Sequence, residues 1–317
     1  MSAPAKVRDP RNGLRMSATM ATVFTILGHT VFGFEQSLAQ VFVALATGYS
    51  SALGFEWIDA RANGRAPGFA GGGVRKLVDF LLSAHMTSIT LSFLLYVNRQ
   101  LWIMAFAVAL AIGSKYVLRV RQNGRLRHFM NPSNLALAVV LVAYQWTGVL
   151  PWGFTIEISG AWKWIVPLII VMLGMRLNLL FTGRFPTIAS WLVTFIALGA
   201  GRALVRHTPI AAELVPLTGV AMVLFTFYMI TDPQTSPSRL PNQVLFGSAI
   251  AAAYSVLLLL HVQYMMFYSV TAIAALRGLG LYALSLRVQA AEQARAPVPA
   301  AAAPPPRAQG IVGDLSG

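Results

Sequence analysis

Apolar residues in this chain come in long, nearly unbroken runs separated by short polar connections. Ten such runs stand out, at about 17–34, 37–58, 77–97, 101–118, 132–150, 164–181, 186–205, 216–230, 243–262 and 263–284. Each is predicted as a helix that crosses a membrane. A core about 30 Å thick takes about 20 helical residues, and several of these runs sit near the short end of that range. The fold expected is an all-α membrane protein of ten transmembrane helices, with two five-helix repeats as its internal plan. Residues 1–16 read as a basic N-terminal segment, 17–288 as the transmembrane domain, and 289–317, rich in Ala and Pro, as a disordered tail. The first run reads as a span rather than a cleaved leader, because no small-residue cleavage site follows it.

Charge adds an orientation. With the N-terminus on one side, alternating connections place nineteen of the 24 Lys and Arg residues on that same side. Only Arg99, Lys163, Arg202 and Arg206 fall opposite, and Arg176 lies within the sixth run. Short loops rich in Lys and Arg stay cytoplasmic, so the chain is expected in the inner (plasma) membrane with both termini in the cytoplasm. Composition agrees. The chain of 317 residues is 56% hydrophobic and 11% charged, against about 25% charged for a soluble domain. Its mean hydropathy is +0.65. The net charge of +14 is assigned to loops facing anionic lipid, so the expected partner is the bilayer and not nucleic acid. The absence of cysteine excludes disulfides, zinc–thiolate centres, iron–sulfur ligation and thiol catalysis by this chain. No metal site is expected.

Two rigid turns carry the candidate chemistry. Asn131-Pro132-Ser133-Asn134 opens the fifth run, with Asn in the N-cap position and Pro at the first helical position. Free N–H groups at such a helix start suit a phosphate or a polarised ring, and Arg125, Arg127 and His128 just before it add positive charge. Thr231-Asp232-Pro233-Gln234-Thr235-Ser236-Pro237 precedes the ninth run, and the charge alternation places it on the same face. Within the runs, His29, His85, Asp79, Arg176 and Asn178 are polar. Ionisable groups at membrane depth are functional candidates, Arg176 above all because it keeps its charge. His29 and His85, on two helices, are a conceivable haem pair or plain interhelical hydrogen-bonding groups.

Asn131-Pro132, followed by Phe227-Tyr228-Met229-Ile230-Thr231-Asp232-Pro233-Gln234-Thr235-Ser236-Pro237, resembles the RnfD/NqrB family, the membrane subunits of ion-pumping, flavin-containing electron-transfer complexes. The resemblance covers about residues 15–285. The stretch Gly28-His29-Thr30-Val31-Phe32-Gly33-Phe34-Glu35-Gln36 looks like a divergent RnfD-like branch found in enediyne natural-product gene clusters. This resemblance implies membrane electron transfer in a biosynthetic setting, with other membrane or redox subunits as partners. It also implies a flavin. Pumping members esterify FMN to the Thr of an S/D-G-A-T motif before the sixth helix, whereas this chain has Ser159-Gly160-Ala161-Trp162 there. An indole has no hydroxyl to esterify. The expectation is therefore a non-covalent flavin, riboflavin or FMN, held by Arg127, Asn131, Ser133, Asn134, Thr231, Asp232, Thr235 and Arg176. The rival expectation is a cofactor-free carrier of a small molecule or natural product.

Overall fold

The computed structural model describes residues 10–34, 36–122, 125–149 and 159–295. Helices form where the apolar runs lie: α1 (Pro10–Thr30), α2 (Leu38–Ala62), α3 (Gly73–Leu94), α4 (Leu101–Val117), α5 (Pro132–Ala143), α6 (Trp162–Leu177), α7 (Phe185–Arg206), the short α8 (Ile210–Leu214) and α9 (Val220–Leu224), α10 (Leu240–Leu259) and α11 (Met265–Arg295). α6 continues into a π-helical turn, Asn178–Thr182, and α9 into a second, Phe225–Met229. A 3-10 turn, Val215–Thr218, follows α8, and two small antiparallel pairs complete the described elements. β1 (Leu95–Tyr96) pairs with β4 (Gly148–Val149), and β2 (Arg119–Gln122) with β3 (Arg125–His128).

Among the described residues, six helices are long and apolar enough to cross a membrane. They are Leu38–Ala62, Gly73–Leu94, Trp162–Thr182, Phe185–Arg206, Leu240–Leu259 and Met265–Ala291. They mark a multi-pass membrane protein. Large apolar side chains such as Phe42, Leu168, Val193 and Leu245 are exposed on their outer faces, where lipid rather than water satisfies them. Trp162 and Trp164, exposed at the start of α6, have the amphipathic rings that favour a membrane interface.

Several boundaries differ from the sequence expectation. α1 begins at Pro10, inside the basic segment expected over 1–16, because proline is tolerated in the first turn of a helix. The fifth run was expected to be helical to Leu150, but α5 stops at Ala143 and is about 18 Å long. Tyr144 leaves the helix and sets its ring edge-on to Trp102, Phe106 and Trp146, with centroids 5.3, 6.0 and 5.7 Å away. The strand pair β1–β4 then takes the backbone of both neighbours, which is also why α3 ends at Leu94 rather than Val97. The eighth run was expected as one helix over 216–230. It is broken instead, with Ile210–Thr218 and Ala221–Met229 meeting at 71°. Pro216 has no N–H to continue a ladder, and Gly219 is extended (φ −79°, ψ 138°). α11 runs seven residues past Val288, because the first proline after it is Pro297 and the intervening Gln, Ala, Glu and Arg favour helix. Residues 1–9 and 296–317 lie outside the described residues.

Packing falls into two groups. α2 lies on α3 and α4, with α1 against α3 and α5 against α4. In the second group, α7 lies on α10 and α8, and α10 on α11. α5 and α11 join the groups. α7 and α10 approach closely. A Cβ on Gly247 would stand 2.5 Å from the Thr187 carbonyl oxygen and 3.0 Å from the Trp191 nitrogen. Small residues let helix backbones meet in this way. Trp191 and Phe195, both fully buried, fill the space beside it with Phe225 and Tyr254.

The two π-helical turns meet. Asn178, fully buried, donates through Nδ2 to the carbonyls of Gly174 (2.9 Å) and Phe227 (2.7 Å), and its Oδ1 accepts from Thr182 (2.9 Å). A π-turn shifts the backbone ladder and frees carbonyls, and Asn178 satisfies two of them. Asn178→Ala should lower stability by about 1–3 kcal/mol, since the buried hydrogen bonds that tie the two π-helical turns together, and the acceptor of the Thr182 hydroxyl, are lost. Thermal unfolding of the detergent-purified protein would show it, and an unchanged midpoint would count against this role.

Candidate functional site

The two X-Pro turns of the sequence come together. Asn131 caps α5, its Oδ1 accepting from the Asn134 N–H at 3.1 Å, and its Nδ2 reaches both the Met229 carbonyl and Asp232 Oδ2, each at 3.5 Å. The pairing links residues 101 positions apart. Asp232 also organises its own loop, because Oδ1 accepts from the Gln234 N–H (3.1 Å) and Oδ2 from the Thr235 hydroxyl (3.0 Å). Its backbone carbonyl takes the Ser236 hydroxyl at 2.6 Å. Thr231 donates back to the Phe227 carbonyl at 2.7 Å, the same carbonyl that Asn178 holds.

Asn134, one turn into α5 and almost fully buried, ties the site to α11. Its Nδ2 donates to the Phe267 carbonyl (2.9 Å) and the Thr271 hydroxyl (2.7 Å). Its Oδ1 is buried and accepts no hydrogen bond among the described residues. A buried acceptor without a donor is costly, so this atom is the clearest sign of an incomplete polar site.

Basic groups surround the Asp232 turn. Gly183, in the left-handed region (φ 63°), ends the π-turn of α6 and leaves Arg184 at the cap of α7. From there Arg184 reaches across: Nε donates to Ser236 Oγ (2.9 Å), and Nη2 to the Pro233 and Ser236 carbonyls (3.2 and 3.5 Å). Gln243 of α10 staples the same two loops, donating to the Gly183 and Ser238 carbonyls at 3.1 and 3.0 Å. On α11, Arg277 donates to the Thr235 carbonyl at 2.6 Å. Lys115, at the end of α4, donates to Ser83 and Thr87 and feels the Asp232 charge. The β2–β3 hairpin sets His128 and Arg127 on the same side. Burial pushes the His128 imidazole below its ordinary value, with Lys115 and Arg119 acting in the same direction and Asp232 against it. Burial likewise lowers the Arg184 guanidinium; Asp232 opposes this and Arg127 adds to it.

Of the residues expected at this site, Asn131, Asn134, Asp232 and Thr235 are hydrogen-bonded into it. Ser133 is buried in the first turn of α5, and Thr231 is buried just before Asp232. Arg127 is exposed on β3 yet near enough to act on Arg184. Arg176 does not join them. It is exposed on α6, and no hydrogen bond or ion pair joins it to another described residue, because the buried face of that turn belongs to Gly174 and Asn178. Lys115, Arg184 and Arg277 enter the sequence reading only through the charge count that orients the chain. Nothing in their spacing separates them from residues that merely orient the chain.

His85 does not read as a haem ligand. Its Nδ1 is 2.7 Å from the Tyr49 hydroxyl and its Nε2 2.8 Å from the Thr22 hydroxyl, so both ring nitrogens are engaged between three helices. His29 bonds the Thr25 carbonyl through Nδ1 (2.8 Å) and packs edge-on to Phe34. At the other end of the bundle, Arg202 donates to Glu213 Oε2 and Ser255 Oγ, each at 2.8 Å. The early Gly28–Gln36 stretch is a fold-back. The Phe34 ring lies against Gly28, where a Cβ would come within 2.1 Å of it, while Glu35 lies outside the described residues. Neither a protein-family model nor a curated protein matches this chain.

Proposed function

We propose that the chain is a membrane subunit of RnfD/NqrB type that binds a non-covalent flavin and takes part in membrane electron transfer, in the setting of enediyne-type natural-product biosynthesis. In this reading it lies in the inner (plasma) membrane with both termini cytoplasmic, and works with other redox subunits. The observation that carries the reading is the convergence of Asn131 and Asp232, with the unsatisfied Asn134 Oδ1 beside them. A flavin ring presents one ring N–H donor flanked by carbonyl acceptors. That set suits a buried amide oxygen and the free N–H groups of a capped helix start. Asn131, Asn134 and Thr235 would hold the polar edge, and the buried helices would keep water from the ring. When bound, the flavin supplies one- and two-electron chemistry, which none of the twenty side chains offers at this place. Trp162, exposed in the first turn of α6, stands where the covalent attachment would need a hydroxyl, so a flavin held here would be released by denaturation.

The test is the absorption spectrum of the full chain purified in mild detergent and reconstituted with riboflavin or FMN. The expected result is a retained flavin band that is lost on denaturation and weakened by Asn134→Leu. Protein that stays colourless at saturating flavin would end this reading. One feature favours the carrier reading instead. The 71° break between Ile210–Thr218 and Ala221–Met229 is the kind of discontinuous helix that carriers use around a midplane site.

A further inference from the structure

The charges around the Asp232 turn do not balance. Arg184 is 7% exposed and clamps residues 233–236 entirely through neutral carbonyl and hydroxyl partners. Its Nη1 donates to none of the described residues. Arg277 holds the same turn through the Thr235 carbonyl, and Lys115 is held by hydroxyls and a carbonyl. Arg127 lies within electrostatic reach. Among the described residues, the one carboxylate that acts on any of these four cations is Asp232. Other carboxylates among the described residues are already taken: Glu56 and Asp59 by Arg65, Asp59 also by Arg119, Asp79 by Arg15, and Glu213 by Arg202. Residues that only orient a membrane protein need to sit at the surface, in water or among headgroups. A buried guanidinium that shares one carboxylate with other cations is expensive, and the usual resolution is an anion.

We infer that Arg184 and Arg277, across the turn that Asp232 organises, form a binding site for a phosphate group. Guanidinium groups suit this role because their planar forks meet phosphate oxygens in pairs. Asp232 sets the loop and, by its own charge, limits the affinity. The phosphate could be carried by a flavin mononucleotide or by a membrane lipid. The first source rests on the flavin reading, and the site itself does not.

The experiment uses the full chain in neutral detergent. FMN and riboflavin are titrated by quenching of flavin fluorescence, and thermal unfolding is followed with inorganic phosphate and with phosphatidylglycerol against a neutral lipid. FMN is expected to bind roughly tenfold or more tightly than riboflavin, as charge-assisted contacts imply. Arg277→Gln should remove that preference, and Asp232→Asn should increase it. The second variant is a gain of affinity and cannot be mimicked by misfolding. Equal binding of both flavins, with no stabilisation by phosphate, overturns the phosphate site and leaves the flavin reading intact. Absence of flavin binding, with stabilisation by phosphate or anionic lipid that Arg277→Gln abolishes, keeps the site and ends the flavin reading. In that case, the anion that stabilises identifies the source. No response to any anion overturns the inference.

Discussion

Glu213→Ala is expected to cost about 3–5 kcal/mol, one of the two largest effects of any single change considered for this protein. Glu213 and Arg202 are an ion pair at 2.8 Å with side chains only 10% and 8% exposed. The arginine is also short of partners, because its Nη2 is buried and makes no hydrogen bond among the described residues. Removing the carboxylate leaves a guanidinium that cannot lose its proton and has Ser255 as its remaining close partner. Arg206 lies 4.0 Å from the same carboxylate and would lose its counter-charge too, though it is 41% exposed and water compensates it. The pair itself need not be strongly stabilising. Arg202→Met combined with Glu213→Leu should recover most of the loss, because desolvating two charges nearly cancels their attraction. Thermal unfolding of the two single variants and the double variant gives the coupling directly. If the double variant is no better than the worse single variant, the pair is contributing something other than charge compensation.

Trp191→Ala is the second large effect, about 3–5 kcal/mol. The indole is fully buried between α7 and α10, with Phe195, Phe225 and Tyr254 rings at 5.4, 5.2 and 5.9 Å, and its Nε1 donates to Thr226 at 3.1 Å. In a bilayer the unfolded reference is already surrounded by hydrocarbon, so transfer from water contributes little. What remains is the cavity and its lost dispersion contacts, plus the stranded Thr226 hydroxyl. The cavity cannot collapse, because Gly247 already brings the two helix backbones into contact on one side. Trp191→Phe should lose much less than Ala. A Phe variant as unstable as Ala would show that the hydrogen bond, rather than the ring volume, dominates.

Much of this architecture can be seen in the apolar runs, because a span must satisfy its own backbone and must be long. What the runs hide is where tertiary contacts override them. Nothing local ends α5 at Ala143. Tyr144 leaves because Trp102 and Phe106, on another helix, offer a better environment. Gly219 and Pro216 were visible as helix breakers, but a window of hydropathy averages over them. The site divides in the same way. Asn131 and Asp232 could be matched from two X-Pro turns and the charge alternation. Arg184 and Arg277 could not, since what distinguishes them from the loop arginines is the burial of Arg184 and the contact of both with the Asp232 turn, which are properties of the folded chain.

The Asn134 contacts also set an order of events in time. Its donors are satisfied by Phe267, 133 residues later, and by Thr271. At a synthesis rate of roughly 5–20 residues per second, about 7–27 seconds separate the emergence of the two ends. During that interval α5 is only twelve residues long and cannot hold itself across a bilayer. It must wait, lodged against α4, until the last helix arrives. A ribosome stalled between the end of α10 and residue 267 would therefore leave a chain with most of its helices and no Asn134 anchor. α11 supplies the contacts that complete this arrangement, so truncations within it should abolish the candidate site while sparing membrane insertion.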